Sequence, residues 1–381
     1  MKQKLGLYLH VPFCVRKCRY CDFYSSPGGL EERGAYVKGL LTHLEHEARA
    51  LSHYEVDTVY FGGGTPTLLS GEDFKQLLHV IGACYDLAPN AEITTECNPV
   101  SGGARMAEQL LEAGVNRLSI GLQSANENEL ALLGRPHGRE EFLSTYRAAR
   151  AAGFRNISVD LMFGIPEQTV GSLEHSLSLL CELSPEHLSV YGLRVEEGTP
   201  FYACRESLAL PDEDTEAEMA ERIAARLCEA GYCHYEVSNF AKPGYHSRHN
   251  MRYWLGQEYL GFGPGAHSYL GGVRFETAPD KHAYLAAVAR GDFASLRANA
   301  TVIGGDEARD EYVMLRMRLF EGVDLADFQH RFGQDFFECY RVPSSLFEGG
   351  FLRRTDKGLA FTERGMRVSN AILSDWLNFG E

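Results

Sequence analysis

Short apolar runs rich in β-branched and aromatic residues alternate with longer segments of helical periodicity along residues 1–236. Such an alternation of strands and helices predicts βαβ units and a parallel sheet. One predicted helix begins after Asp212, places Met219, Ile223 and Leu227 on one face and ends before Gly231. The six predicted strands are LGLYLH, VDTVYF, EITTEC, RLSIGL, ISVDLMF and HLSVYGL.

Six units predict an α/β fold with a partial (β/α)6 barrel over residues 1–236, because a closed barrel of eight units takes about 250 residues. A doubly wound parallel sheet is the alternative. Polar residues and glycines collect where the predicted strands end, as at Glu96, Gln123, Asp160 and the segment GGGTP at 62–66. Barrel active sites lie at this end of the strands. Any one of these positions, taken alone, suits a βα turn equally well.

The pattern changes after residue 236. Residues 237–304 are dense in Gly, Tyr and His without a clean period, which predicts a loop-rich linker. Residues 305–381 return to helical periodicity and then contain two short strand-like runs and an amphipathic run, which predicts a small C-terminal winged-helix-like domain. Because this domain lacks a strong basic helix, we expect a structural or docking role rather than DNA binding.

Composition narrows the class of protein. The chain has 381 residues, of which 23% are charged and 44% hydrophobic, as in ordinary globular proteins. A formal net charge of −15 disfavours nucleic acid as a partner. No apolar stretch is long enough to span a bilayer, so membrane contact would be peripheral. Ten cysteines without an export signal predict a cytoplasmic location, where clustered thiols bind metals.

Cys14, Cys18 and Cys21 form a C-x3-C-x2-C motif directly after the first predicted strand. A four-iron cluster normally takes four cysteines, so three cysteines would leave one iron open to an external ligand. Zinc is the alternative, because His10 could complete a Cys3His site. The other seven cysteines are scattered singly, which is typical of buried, inert thiols.

The cysteine motif resembles that of the radical S-adenosylmethionine (SAM) superfamily, in which it binds a [4Fe-4S] cluster whose open iron is chelated by SAM. The resemblance to the coproporphyrinogen oxidase-like branch covers essentially the entire chain, through HVPFC, GGGTP, TTECNP, IGLQS, LGRPH and DLMFGIP. It implies a [4Fe-4S] cluster on the three cysteines and SAM as the second cofactor. The SAM-site residues that it implies are Tyr8, Tyr20, Gly63, Gly64, Thr65, Glu96, Gln123, Arg135 and Asp160.

The implied SAM residues have suitable chemistry. Carboxylates and an amide can bind ribose hydroxyls or an ammonium group, and Arg135 can pair with a carboxylate. Glycine at 63 and 64 would let the backbone approach the ligand. Each residue taken singly also suits a purely structural role.

Two positions distinguish members of this branch. The oxygen-independent oxidases have an additional cysteine two positions after the third, where this chain has Phe23. The haem chaperone members carry H-N-x-x-Y-W, which this chain matches with His249, Asn250, Tyr253 and Trp254. An imidazole can ligate haem iron, and aromatic rings can cover a porphyrin face. Without the resemblance, packing against the barrel would be the better interpretation, with His249 as a hydrogen-bonded filler.

Other residues near this motif are also candidates for haem contact. Arg248 and Arg252 could pair with the propionates, and His267 and Met251 are further iron ligands on weaker grounds.

The resemblance therefore implies a haem chaperone with a radical SAM core, which binds haem and delivers it to haem-requiring apo-proteins, including acceptors at the membrane. The alternative is oxygen-independent coproporphyrinogen III oxidase, a radical SAM enzyme of porphyrin metabolism. Radical-dependent methylation or opening of a porphyrin is a third class. The sequence leaves open whether SAM is cleaved, which protein receives the haem and whether the chain forms a homodimer.

Overall fold

The computed structural model describes residues 2–377 and contains one large mixed sheet. Its strands are β1 (Gln3–Val11), β2 (Tyr54–Gly63), β3 (Leu87–Cys97), β4 (Arg117–Gln123), β5 (Ile157–Phe163), β6 (His187–Gly192), β7 (Cys233–Glu236), β8 (Asn239–Ala241), β9 (Tyr259–Phe262), β10 (His267–Leu270), β11 (Val273–Glu276) and β12 (Ala298–Val302). They are arranged in the order β12-β11-β10-β9-β1-β2-β3-β4-β5-β6-β8-β7.

All six predicted strands are confirmed as β1 to β6, which pair in parallel and in chain order. Sequential order is that of a barrel, whereas a doubly wound sheet reverses its order part-way across. The prediction of a partial (β/α)6 barrel is therefore confirmed over the doubly wound alternative.

Helices follow the parallel strands and pack on the outside of the sheet. They are α1 (Leu30–Ala48), α2 (Gly71–Cys84), α3 (Ala104–Ala113), α4 (Glu127–Leu133), α5 (Arg139–Ala152), α6 (Val170–Leu183), α7 (Pro200–Ala203) and α8 (Glu213–Glu229). The helix predicted after Asp212 is α8, where the Asp212 side chain accepts a hydrogen bond from the Thr215 N–H and Met219, Ile223 and Leu227 are buried.

The segment 237–304 is more regular than its hydropathy pattern indicates. It contains β8 to β12 and the helices α9 (Arg248–Trp254) and α10 (Lys281–Arg290). β8 pairs with β6 and β9 pairs with β1, so this segment extends the sheet at both ends of the six parallel strands. Strands of three to five residues are too short to show a period of two in the sequence, and pairing with the sheet stabilises them. The domain boundaries at 236/237 and 304/305 stay a prediction.

A small helical domain with its own core follows, and its buried side chains include Val313, Phe328 and Phe361. Its helices are α11 (Gly305–Arg316), α12 (Leu325–Phe332), α13 (Phe336–Cys339), α14 (Ser344–Glu348), α15 (Glu363–Arg367) and α16 (Ser369–Trp376). Its strands are β13 (Val323–Asp324), β14 (Leu352–Arg354) and β15 (Gly358–Phe361). They form an antiparallel sheet in the order β13-β15-β14. Within residues 2–377, no helix has the length and apolar character needed to cross a membrane.

Candidate functional site

The C-terminal ends of β1 to β6 surround a cavity of about 600 Å³, which we call the SAM-site cavity. The parallel strands bring together there nearly all of the predicted cluster and SAM residues, namely Cys14, Tyr20, Cys18, Cys21, Gly63, Gly64, Thr65, Glu96, Gln123, Arg135 and Asp160. Tyr8 is the exception. Its hydroxyl lies 3.2 Å from Nδ1 of His10, and its ring stacks on Tyr60, which does line the cavity.

Period-two alternation within the strands explains why polar groups face this cavity. In β4, Leu118, Ile120 and Leu122 belong to the apolar core, whereas the intervening residues line the cavity. A strand buried on both faces usually lacks such polar positions. Those residues in β4 are Arg117, Ser119, Gly121 and Gln123.

The three cysteine thiols lie at one wall of the SAM-site cavity. Cys14 Sγ lies 3.4 Å from the Thr65 hydroxyl, and Cys18 Sγ accepts a hydrogen bond from Arg135 Nη1 at 3.7 Å. Burial, together with the neighbouring Cys18 and Cys14 thiols, raises the pKa of Cys21 to about 11. A thiol with a raised pKa is ionised by binding a metal cation. The donor set therefore fits an iron-sulfur cluster.

His10 does not serve as a fourth ligand in this geometry. Its Nε2 lies 2.8 Å from the Tyr24 carbonyl oxygen, and its Nδ1 lies 3.2 Å from the Tyr8 hydroxyl. Both ring nitrogens are thus engaged. In the described part of the chain, no three His, Cys, Asp or Glu side chains are arranged to hold a single metal ion. The Cys3His zinc alternative therefore has no preformed site among those residues.

The glycines of the GGGTP segment are required by packing within the chain itself. Gly63 has φ +105°, and a Cβ there would lie 2.6 Å from the His10 ring. A Cβ on Gly64 would lie 2.5 Å from the carbonyl oxygen of Phe13. The chain's own contacts thus exclude side chains at both positions, and the approach of SAM to this backbone stays a prediction.

Two buried carboxyl groups face the SAM-site cavity. Glu96 Oε1 accepts a hydrogen bond from the Tyr60 hydroxyl at 3.0 Å, and Asp160 Oδ1 accepts one from Ser119 at 3.1 Å. Burial and, after it, the negative charge of Asp160 raise the pKa of Glu96 to about 8. Burial also raises the pKa of Asp160, against the lowering effect of Ser119 and Arg117. A cationic ligand would relieve this mutual repulsion.

Two arginines bring unused hydrogen-bond donors to the same cavity. Arg135 Nη2 donates to the Gly121 carbonyl oxygen at 3.2 Å, but its buried Nε has no partner among the described residues. Arg117 is 2% exposed, and its Nε also has no partner there. The guanidinium charges of both arginines suit an anionic group such as a carboxylate in this cavity. The sequence analysis missed Arg117. A charged residue at the start of a largely apolar strand could have indicated a functional position.

Gln123 adopts a rare backbone conformation at the cavity wall. Its φ is +68°, and its Oε1 accepts a hydrogen bond from the Tyr191 hydroxyl at 2.8 Å. Non-glycine residues in the left-handed region are often found at functional sites, where surrounding contacts hold them. Tyr191, which also lines the cavity, is a second residue that the sequence did not single out.

The H-N-x-x-Y-W segment forms α9, which packs against the inside of the barrel. His249 is 1% exposed, with Nδ1 2.9 Å from the Thr58 hydroxyl and Nε2 2.9 Å from the Tyr253 hydroxyl. Burial and, after it, the positive charge of Arg252 lower the pKa of His249 to about 3. Both nitrogens of a neutral imidazole are therefore engaged. This is the geometry of the packing interpretation, and iron ligation by His249 would require one hydrogen bond to break.

The other residues of α9 that the sequence analysis names do not converge on one site. Asn250 lines the SAM-site cavity, whereas Trp254 lines a separate cavity of about 250 Å³ against α11 and α12. Arg252 is buried in an ion pair with Asp57, and Arg248 Nη2 lies 3.6 Å from the same carboxylate. Both arginines therefore face Asp57 rather than the haem propionates that the sequence analysis expects them to bind.

The comparison with known proteins identifies the family. The radical SAM superfamily matches residues 8–180, and the HemN C-terminal domain matches residues 305–368. The chain is thus a radical SAM protein, and membership of that superfamily implies a [4Fe-4S] cluster and SAM. It is 35% identical to heme chaperone HemW of Bacillus subtilis, over 97% of this chain and 98% of that protein. The chain belongs to the HemW family.

Two other curated relatives are also similar to the chain. Heme chaperone HemW of Escherichia coli is 39% identical over 85% of each chain. The mitochondrial radical S-adenosyl methionine domain-containing protein 1 of Bos taurus is 41% identical over 70% of this chain and 60% of that protein.

A solved structure shares the fold. Coproporphyrinogen III oxidase (HemN) from Escherichia coli superimposes with a TM-score of 0.84, over 98% of this chain and 90% of that chain, at 22% identity. This match confirms the predicted fold class, whereas the HemW relatives confirm the family resemblance.

Proposed function

We propose that this protein is a haem chaperone with a radical SAM core, which takes up haem and delivers it to haem-requiring proteins. The observation that carries the proposal is the full-length similarity to the relatives named heme chaperone HemW, which extends over 97% of the chain. A cytoplasmic location, acceptors at the membrane and a homodimer stay predictions.

Within this proposal, Cys14, Cys18 and Cys21 hold the [4Fe-4S] cluster. The cluster supplies an iron with an open coordination position for the amino acid end of SAM. Arg135, which lines the SAM-site cavity, would pair with the SAM carboxylate. The proximity of the three thiols in one cavity supports this assignment.

Glu96 and Asp160 would bind the sulfonium and ribose parts of SAM. Because the pKa of Glu96 is about 8, this side chain carries a proton at neutral pH when the cavity holds no cation. A bound SAM would bring a sulfonium cation that favours the ionised carboxylate, so Glu96 would then release its proton to solvent. Asp160, held by Ser119, accepts hydrogen bonds from the ribose hydroxyls.

The oxidase alternative depends on which residue occupies the position where the oxidases have their additional cysteine. Phe23 occupies this position, is 63% exposed and lines the SAM-site cavity. A phenyl ring offers no thiolate to a cluster or a substrate. This residue therefore favours haem transport over coproporphyrinogen oxidation.

The experiment that tests the proposal presents the anaerobically reconstituted protein with haem and with coproporphyrinogen III in parallel. We expect a ligand-specific Soret shift with haem, transfer of that haem to an apo-haem protein faster than from serum albumin, and no decarboxylation. Sustained decarboxylation of coproporphyrinogen III, with haem transfer no faster than from albumin, would overturn the proposal in favour of the oxidase.

A further inference from the structure

Helix α9 directs neighbouring side chains to different surroundings. His249 lies between the Thr58 and Tyr253 hydroxyls, which engage both of its ring nitrogens. Asn250, the next residue, lines the SAM-site cavity instead, because successive residues of a helix are rotated by about 100° around its axis. In the described chain, none of the other residues of the H-N-x-x-Y-W segment lines this cavity.

The side-chain amide of Asn250 is available to a ligand. The backbone N–H of this residue donates to the Ser247 hydroxyl at 3.4 Å, but the amide group is hydrogen-bonded to no residue between positions 2 and 377. The residue is half-buried, and its amide oxygen and nitrogen are accessible rather than enclosed by protein. Asn250 differs in this respect from Arg117 and Arg135, whose unpartnered Nε atoms are enclosed.

The other two amide side chains at the cavity have their oxygens engaged. Gln123 Oε1 accepts a hydrogen bond from the Tyr191 hydroxyl at 2.8 Å, and Asn98 Oδ1 accepts one from the Val100 N–H at 3.3 Å. Among the described residues, Asn250 is therefore the amide at this cavity that offers a ligand both a donor and an acceptor.

The adenine base is the part of SAM that the charged groups of the cavity leave without a partner. In the proposed function, Arg135 takes the carboxylate, Glu96 the sulfonium and Asp160 the ribose. Adenine is uncharged, and its edge presents an amino donor beside a ring-nitrogen acceptor. The planar amide of Asn or Gln matches this edge with two hydrogen bonds. Met162 and Leu193 also line the cavity and provide apolar surface for the faces of the ring.

We propose that Asn250 binds the adenine base of SAM, with its amide nitrogen donating to a ring nitrogen and its amide oxygen accepting from the amino group. The inference rests on the SAM site of the proposed function and adds a residue to it. It assigns Asn250 to SAM rather than to the haem contacts that the sequence analysis expects for this segment. Helix α9 then contacts SAM through Asn250, while His249 keeps its hydrogen bonds to Thr58 and Tyr253.

The test is the Kd of labelled SAM, measured by anaerobic equilibrium dialysis with the full-length, cluster-loaded protein. Asn250→Ala should raise the Kd about tenfold, because two hydrogen bonds are lost. Asn250→Leu, which keeps the branched shape of the side chain without its polar atoms, should have the same effect. The matched control is Asn128→Ala, because Asn128 is exposed on α4. Cluster absorbance and thermal denaturation show whether each variant is folded.

A second measurement uses a SAM analogue whose purine base has hydrogen in place of the amino group. Wild type should bind this analogue about fivefold more weakly than SAM, because the hydrogen bond to the amide oxygen is lost. Asn250→Ala should bind SAM and the analogue with Kd values within twofold of each other. A variant that still discriminates between them as wild type does would overturn the inference.

The outcomes separate the inference from the proposed function. If wild type binds no SAM, the SAM site of the proposed function fails, and the inference fails with it. If wild type binds SAM and both Asn250 variants match Asn128→Ala, the adenine assignment fails alone. A lost Soret shift with haem in Asn250→Ala, with an unchanged Kd for SAM, would return Asn250 to the haem contacts and overturn the inference.

Discussion

The hydroxyl of Tyr60 donates a hydrogen bond to Oε1 of Glu96 over 3.0 Å, and the Tyr60 ring stacks with His249 at a centroid distance of 5.2 Å. Tyr60 thus connects the SAM-site cavity with helix α9. Because Glu96 is buried beside Asp160, its proton depends on what the cavity contains. Tyr60 is therefore in direct contact with both the titratable Glu96 of the SAM-site cavity and the buried His249 of α9.

Glu96 is expected to make the stability of the ligand-free protein depend on pH. Its folded-state pKa of about 8 lies above its ordinary value, so the folded state binds this proton more tightly than the unfolded state does. The contribution is fully present below the ordinary pKa and is lost as pH rises toward about 8. Chemical denaturation of wild type and Glu96→Gln from pH 5 to pH 9 should show wild type losing on the order of a few kcal/mol relative to the variant. Parallel curves would contradict this.

Removal of any one cluster cysteine should remove the iron-sulfur cluster. Wild type purified without oxygen should contain about four irons per chain, because three thiolates in one cavity can hold a four-iron cluster. Cys14→Ala, Cys18→Ala and Cys21→Ala should each lose the iron and the visible absorbance. Cys228→Ala is the control, because Cys228 is exposed on α8. Zinc instead of iron, or equal loss in the control, would contradict the assignment.

Asp160→Asn should weaken SAM binding to the cluster-loaded protein. Loss of a charge-assisted hydrogen bond costs about 1.5 to 3 kcal/mol, which is roughly 10- to 150-fold in Kd. Asn keeps the shape of the side chain, so the cluster absorbance and the melting temperature should stay near wild type. Equilibrium dialysis with labelled SAM gives the Kd, and Glu45→Gln, on the exposed face of α1, is the control. An unchanged Kd would make Asp160 a structural residue.

His249→Ala should destabilise the protein even without haem. The substitution leaves the Thr58 and Tyr253 hydroxyls without their partner in a buried environment, which costs about 1–3 kcal/mol. Urea denaturation measures this loss, and His267→Ala, where the side chain is 62% exposed, is the control. His249→Gln should recover part of the loss, because an amide can hydrogen-bond to one of the hydroxyls. A His249→Ala protein as stable as wild type would rule out the packing role.

Much of the fold followed from local patterns. The period of two in β1 to β6 and the helical period between them are properties of neighbouring residues, so the partial barrel could be predicted. The ends of α8 were equally visible, because capping by Asp212 is a local interaction. Strands β8 to β12 were not visible, since three to five residues show no period and pairing with the sheet decides their structure.

The sequence by itself determined the cysteine loop and the polar ends of the strands, because a motif within eight residues and a parallel sheet leave little freedom in placing them. Only the tertiary structure decided which polar side chains are hydrogen-bonded to one another. Thr58 lies 191 positions from His249, and Glu363 lies 129 positions from His234. The first contact engages Nδ1 of His249, and the second engages Nδ1 of His234. Hydrogen bonds over such separations exist only once the chain has folded.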